Sequence, residues 1–127
     1  MSELTCLEAA VALWFLHLFS QMAVAGRSFT TAYLFSSRDE PPAPRGLLWG
    51  RATRAFSNYV DNFVVFAVLD LALIVTHRAA GFTPTAWIIA RVVYLPLYLF
   101  NVIYLRTVAA AVSVICLVVM LGALAGF

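Results

Sequence analysis

The sequence predicts an all-α integral membrane protein, a four-helix bundle that forms a single domain over residues 1–127. Its residues are 64% hydrophobic and only 11% charged, and the mean hydropathy is +0.95. Soluble domains carry about 25% charged residues because most of their surface faces water. One span needs about 20 apolar residues, so this chain has room for four spans and short connections. The net charge of +2 is too small to indicate a nucleic-acid partner.

The first predicted span covers residues 4–26 and is interrupted by few polar side chains. Small residues at Ala23 and Ala25 resemble a signal-peptide cleavage site. The segment before the apolar stretch, however, contains Glu3 and Glu8 and no basic residue, which is the wrong charge for a signal peptide. We therefore expect an uncleaved first helix.

A proline-rich connection separates the first span from the second. Residues 36–46 contain three prolines and a glycine, which preclude a continuous helix. The second helix is expected to begin near Leu47, with its membrane span over residues 51–77. Its first turns, which contain Arg51 and Arg54, should protrude into water or lipid headgroups.

The last two spans follow a short turn that contains Gly81. Thr83 is the expected N-cap before Pro84, because proline is favoured at the first helical position. The third span is predicted over residues 84–104 and the fourth over residues 106–126.

The distribution of basic residues predicts the orientation of the chain. The first loop and its flanks carry five arginines: Arg27, Arg38, Arg45, Arg51 and Arg54. The third loop carries Arg106, whereas the second has only His77 and Arg78. The positive-inside rule then places loops one and three in the cytoplasm and both termini outside.

Cysteine and histidine usage gives no sign of a disulfide framework or a metal site. Cys6 and Cys116 lie in separate apolar stretches without Cys-x-x-Cys spacing, so we expect two small buried side chains. The two histidines lie in separate segments, and no His-x-x-Glu spacing is present.

A polar stripe lies at the start of the second helix. Its members, spaced by three, four and three residues, are Arg51, Arg54, Asn58 and Asp61. This spacing places all four on one helix face. Arginines grip carboxylates and a carboxylate holds an ammonium group, so the stripe suits a small zwitterion. Alternatively, the arginines extend to headgroups and Arg54 contacts Asn58 or Asp61 within the helix.

A second polar stripe lies on the third helix. Arg91, Tyr94 and Tyr98 occur at i, i+3 and i+7, again on one face, and Pro96 offers a kink that opens space. An arginine within a span is costly unless it faces protein or a watery cavity, which indicates a binding site. Alternatively, the tyrosines form an interfacial aromatic belt.

These two stripes carry a family resemblance. The pattern R-x-x-R-A-x-x-N-x-x-[ED] on the second helix precedes A-R-x-x-Y-x-x-x-Y on the third, and Arg106 opens the fourth. Together they resemble the MAPEG family, the membrane-associated proteins in eicosanoid and glutathione metabolism, over essentially the whole chain. The resemblance is to bacterial members of this size and implies an inner-membrane location and a homotrimer of four-helix subunits.

The resemblance also implies a glutathione site between neighbouring subunits, near the cytoplasmic side. The residues that match the glutathione-binding motif are Arg51, Arg54, Asn58, Asp61, Arg91, Tyr94 and Tyr98. Arg106 matches an arginine that holds the glutathione thiol as a thiolate, and a nearby cation favours that ionised form. Arg27 is a further contact that the resemblance suggests from the first helix.

Two departures from the family pattern leave more than one function open. Asp61 stands where the family usually has a glutamate, and the spacing from Arg91 to Arg106 differs from that of the well-known enzymes. The favoured function is a glutathione-dependent transferase or peroxidase that acts on apolar electrophiles entering from the bilayer. The alternatives are a catalytically silent scaffold or lipid-binding relative, and a small proton-coupled exporter. Such an exporter needs an acid in its first span, where only Glu8 is available.

Two more polar side chains are expected deep in the membrane, His17 on the first helix and Asp70 on the second. Asp70 lies about half a turn around the helix from Asp61 and so outside the polar stripe. Each could be satisfied by a neighbouring helix, or the two could pair with each other. The functional alternative is a proton-coupled pair.

Overall fold

The computed structural model describes residues 1–127 and contains five α-helices and no β-strand, which confirms the all-α prediction. The helices are α1 (Glu3–Ser28), α2 (Thr31–Leu34), α3 (Leu48–Val75), α4 (Thr83–Leu99) and α5 (Ile103–Ala125). Three of them, α1, α3 and α5, are long and apolar enough to cross a membrane. The α4 helix has 17 residues.

The proline-rich connection between α1 and α3 contains one helix that the sequence did not reveal. The Thr30 side chain accepts a hydrogen bond from the Tyr33 backbone N–H and so caps the four-residue α2. Beyond α2, residues 36–46 contain no helix. The Arg45 N–H donates to the Ser28 carbonyl over 2.9 Å and holds the end of this connection against the end of α1.

The junction between the last two helices differs from the prediction. The expected third helix continued to about Tyr104, whereas α4 ends at Leu99 and α5 begins at Ile103. Asn101 adopts the left-handed conformation, with φ of 60°, and Val102 N–H donates to the Leu97 carbonyl over 2.9 Å. This hydrogen bond closes the helix C-terminus, and asparagine tolerates the left-handed conformation better than most residues.

The predicted N-cap of α4 is also wrong. Thr83 is the first helical residue, and the preceding Phe82 provides no side-chain cap. The Phe82 carbonyl accepts from Ala86 N–H over 2.9 Å, so helical hydrogen bonding begins one residue earlier than expected. Pro84 lies in the first turn, where its missing N–H costs nothing.

Interhelical contacts identify the two ends of the molecule. At one end, Gln21 near the end of α1 donates to Thr53 near the start of α3, and Arg51 donates to the Leu99 carbonyl at the end of α4. We call this the arginine end. At the opposite end, Arg78 follows α3 and donates to the Leu124 carbonyl near the end of α5. The four long helices therefore alternate in direction.

The core is apolar, and so is much of the outer surface. α1 packs mainly against α3 and α4 mainly against α5, and the largest buried cluster centres on Tyr59, Phe66 and Trp87. The outward faces expose many branched aliphatic side chains, among them Val68 and Val118. A water-facing surface does not carry such continuous apolar bands, and these faces suit lipid.

Candidate functional site

Arg91 is the centre of a polar cluster at the arginine end. Its side chain is fully buried, and its Nη1 donates to Asn58 Oδ1 across the α3–α4 interface over 2.8 Å. The guanidinium carbon lies 5.2 Å from the centre of the Tyr94 ring and 5.6 Å from that of Trp87. The remaining N–H groups, on Nε and Nη2, have no hydrogen-bond partner. Two donor nitrogens of Arg91 are thus unsatisfied inside the chain, where neither is exposed at its surface.

Tyr98 joins two further arginines of the cluster. Its hydroxyl accepts from Arg54 Nε over 3.3 Å, and the Arg106 guanidinium carbon lies 4.5 Å from the centre of its ring. The ring of Tyr94 lies 5.5 Å from that of Tyr98, so the two tyrosines form a continuous aromatic surface. Cations from α3 and α5 therefore meet on one aromatic side chain of α4.

The α3 stripe and the α4 stripe therefore meet across the helix interface. Arg54 contacts Tyr98 and Asn58 contacts Arg91, in place of the contacts within α3 that the alternative interpretation expected. Arg51 also crosses to α4, where Nη1 donates to the Leu99 carbonyl over 3.2 Å. We call these seven residues the arginine cluster: Arg51, Arg54, Asn58, Arg91, Tyr94, Tyr98 and Arg106.

Two residues suggested by the family pattern stand apart from these contacts. Asp61 is exposed on α3, whereas Asn58, one turn earlier, is half-buried against Arg91. Arg27 is exposed in the last turn of α1. The structure adds Trp87, whose buried ring lies beside the Arg91 guanidinium. Its position four residues before Arg91, on the same helix face, is the sequence signal that could have found it.

The arginine cluster does not form an enclosed pocket within one chain. The chain has three cavities, and none of them is lined by a residue of the cluster. Burial increases from Arg54, which is exposed, through the half-buried Arg106 to the fully buried Arg91. The cations of the cluster therefore extend from the surface into the α3–α4 interface.

His17 and Asp70 do not form the pair that the sequence allowed. His17 Nδ1 donates to the Leu13 carbonyl over 2.8 Å, and its ring stacks on Tyr59 at 4.2 Å. Asp70 is fully buried on α3, and neither of its carboxyl oxygens has a partner. It lies eleven residues beyond Tyr59, or about 16 Å along the helix axis at 1.5 Å per residue. The interpretation of these two as a proton-coupled pair is therefore wrong.

The chemistry available at the arginine cluster is the binding of anions. Arginine donors match carboxylate geometry, and the N–H groups of Arg91 are shielded from water. No group of three or more histidine, cysteine, aspartate or glutamate side chains lies close enough to hold a metal ion. Fold and site together define an integral membrane protein with a cationic, aromatic face near one end of its helices.

The comparison with protein families gives this class a name. Residues 4–126 match the MAPEG family, and the chain belongs to that family of membrane proteins concerned with glutathione. No curated protein sequence and no solved structure shows a significant match to the chain.

Proposed function

We propose that the arginine cluster binds glutathione and that the protein is a membrane-embedded glutathione-dependent transferase or peroxidase acting on apolar electrophiles. The observation that carries this proposal is the incomplete hydrogen bonding of Arg91. A buried guanidinium with two unused donors is costly, and a ligand carboxylate that entered the α3–α4 interface would satisfy both donors with one bidentate contact.

The other groups of glutathione are assigned to other residues at the arginine end. Arg54 and Arg51 supply cations for the second carboxylate, closer to the surface, and Tyr94 and Tyr98 supply a flat surface and hydroxyl groups. The carboxylate of Asp61, one turn beyond Asn58, is assigned the role of binding the ammonium group of glutathione. Its exposed position leaves it free to reach that group.

Arg106 is assigned the chemical role. Its guanidinium, held over the ring of Tyr98, would lie beside the thiol and favour loss of the thiol proton. The sulfur electron pair then attacks an electrophilic carbon, a C–S bond forms, and the leaving group departs with the electrons of the broken bond. With a lipid hydroperoxide, the thiolate attacks the outer oxygen and the O–O bond breaks. The inner oxygen leaves with the bonding electrons and takes up a proton to become the alcohol, and the resulting sulfenic acid reacts with a second glutathione to give the disulfide and water.

The cluster lines no cavity of its own chain, yet Arg54 and Arg106 reach the surface, and this supports an assembly in which a neighbouring subunit completes the site. We assign the chain to a homotrimer, with glutathione between adjacent subunits and the apolar substrate entering from the bilayer. In this arrangement residues 1–127 form one domain whose four spans are α1, α3, α4 and α5. The α4 helix has 17 residues, the lower limit of the usual range of about 17–25.

The proposed location is the inner membrane of a bacterium, with the arginine end on the cytoplasmic side. The arginines concentrated in loop one and around loop three support this orientation through the positive-inside rule. Glutathione is thereby bound from the cytoplasm.

One observation favours a second candidate, a catalytically silent scaffold. The carboxylate of Asp61 is shorter than the usual glutamate and lies outside the contacts of the cluster. If the ammonium group of glutathione is not held, the ligand binds weakly or not at all. The arginine cluster would then hold lipid phosphates or simply join α3 to α4.

Isothermal titration of detergent-purified protein with glutathione distinguishes the two candidates. The proposal expects saturable binding that both Arg54→Ala and Arg91→Ala remove, because each variant deletes a carboxylate contact. Arg78→Ala is the matched control, since Arg78 lies at the opposite end and donates to α5 carbonyls. If the unmodified protein fails to bind glutathione at millimolar concentration, the enzyme proposal falls and the scaffold stands.

A further inference from the structure

Gly50 is a helical residue whose backbone conformation does not require glycine. It lies in the first turn of α3, and its φ is not positive, in contrast to those of Gly46, Gly81 and Gly126. Glycine is the poorest helix former after proline, because it loses the most conformational freedom on folding. What glycine provides at this position is therefore the space left by the absent side chain.

The guanidinium of Arg54, one turn later in α3, occupies that space. A Cβ at position 50 would lie 3.0 Å from Arg54 Nη1 and 3.6 Å from both Cζ and Nη2. The guanidinium therefore lies against the backbone of the first turn, and we call this position the Arg54 seat. The other two glycines within helices, Gly26 and Gly122, have no such neighbour, since a Cβ there would meet nothing within 4 Å.

The Arg54 guanidinium uses one of its nitrogens within the chain. Its Nε donates to the Tyr98 hydroxyl over 3.3 Å, whereas Nη1 and Nη2 make no hydrogen bond to the chain. Arg54 is exposed, so these two nitrogens can be reached by a ligand from outside. A guanidinium that is held at Nε presents Nη1 and Nη2 as a pair, which matches the two oxygens of a carboxylate.

We propose that Gly50 is a positioning residue for carboxylate recognition by Arg54. Its missing side chain allows the guanidinium to lie between the backbone of α3 and the Tyr98 hydroxyl, with Nη1 and Nη2 free for a ligand. This inference rests on the proposed binding of glutathione and adds that the orientation of Arg54 is set before the ligand arrives. Affinity is gained in this way because the side chain does not have to be ordered on binding.

Even the methyl group of alanine would displace the guanidinium from the Arg54 seat. The separation of 3.0 Å between a Cβ at position 50 and Arg54 Nη1 is shorter than an ordinary van der Waals contact of about 3.5 Å. The hydrogen bond to Tyr98, at 3.3 Å, is already longer than the usual range of about 2.7–3.2 Å. It therefore has little tolerance for a shift of Arg54.

Isothermal titration with glutathione measures the effect of the Arg54 seat on affinity. We expect Gly50→Ala to lower the affinity about tenfold, the size of one hydrogen bond to a charged group. Arg54→Lys keeps a cation without the planar guanidinium, so Gly50→Ala should change the affinity by less than about twofold in that background. Gly26→Ala is the matched control at the same end of the molecule and should leave the affinity unchanged.

Thermal melts without ligand test the Arg54 seat independently of glutathione. Alanine is a better helix former than glycine, so Gly50→Ala should raise the melting temperature in an Arg54→Ala background, where the seat is empty. In the unmodified protein the same substitution also displaces Arg54, and the rise should be smaller or absent. Gly26→Ala should shift the melting temperature equally in both backgrounds, because a Cβ there has no neighbour.

Three results would overturn the proposal. They are an unchanged glutathione affinity in Gly50→Ala, an equal loss of affinity with and without Arg54→Lys, and an equal shift of the melting temperature with and without Arg54→Ala. If the unmodified protein binds no glutathione, the proposed function fails, and the melting temperatures alone decide the role of Gly50. A shift that depends on Arg54 then supports the Arg54 seat, and a shift that does not depend on it contradicts the seat.

Discussion

Arg91 combines complete burial with incomplete hydrogen bonding. Its guanidinium has one protein acceptor, Asn58 Oδ1, while two of its nitrogens have none. A buried charge in this condition weakens the fold, because the cost of removing it from water is only partly offset. Under the proposed function Arg91 serves to bind the ligand, so stability and binding should respond in opposite ways to its replacement.

Substitution of Arg91 by methionine tests whether stability and glutathione binding change in opposite directions. We expect Arg91→Met to leave the thermal stability in detergent unchanged or to raise the free energy of unfolding by about 1–4 kcal/mol, as when well-packed apolar residues replace buried ions. Glutathione binding should be lost. Differential scanning calorimetry measures the melting temperature, and isothermal titration on the same preparation measures the affinity for glutathione. A marked fall in the melting temperature would show that Arg91 is structural.

Two substitutions of Tyr98 distinguish the contribution of its hydroxyl group from that of its ring. Tyr98→Phe removes the hydroxyl that accepts from Arg54 but keeps the ring beneath Arg106. We expect glutathione affinity to fall by about fivefold for the loss of one hydrogen bond of about 1 kcal/mol. Tyr98→Leu also removes the cation–π contact and should cost more. Equal titration constants for the two variants would contradict the assigned role of the ring.

At the scale of the elements, the turn between α4 and α5 fixes where Arg106 lies relative to Tyr98. Asn101 holds the left-handed conformation that ends α4, and α5 begins two residues later. Arg106 consequently lies in the first turn of α5 and reaches back over the Tyr98 ring. The position of the proposed thiol-activating group therefore depends on the conformation of one residue outside the site.

Substitutions at Asn101 test that dependence. Asn101→Gly should be tolerated, because glycine adopts a φ of 60° without strain. Asn101→Val should lower the free energy of unfolding by about 1–2 kcal/mol, the cost of a left-handed conformation for an ordinary residue. Thermal melts of the two variants measure the difference. Equal stability of the glycine and valine variants would show that the turn does not require this conformation.

The sequence predicted the elements unevenly, for physical reasons. Periodicity placed Arg54 and Asn58 on one face of α3 and Arg91 and Tyr98 on one face of α4, because helix geometry alone determines those relations. The contacts between the faces depend on packing, which one sequence does not specify. The break after Leu99 was missed because Phe100 and Val102 continue the apolar pattern, and only the backbone of Asn101 interrupts it.

At the scale of the whole molecule, charge is distributed unequally between the two ends. Loop one and its flanks contain five of the eight basic residues, whereas the loop between α3 and α4 contains Arg78 as its one arginine. Arg78 donates to the carbonyls of Ala123 and Leu124, which engages it with the end of α5. The two ends thus differ in the number of arginines and in the groups to which those arginines donate hydrogen bonds.

This asymmetry predicts that loop one lies in the cytoplasm and the loop after α3 lies outside. The native cysteines allow a direct test, because Cys6 and Cys116 are buried and should not react with a membrane-impermeant maleimide. We expect Ala79→Cys, at an exposed position after α3, to be labelled while the membrane that holds the protein is intact. Ser37→Cys, exposed in loop one, should be labelled only after the membrane is disrupted. The reverse pattern would place the arginine cluster outside, away from cytoplasmic glutathione, and would remove the proposed substrate from its site.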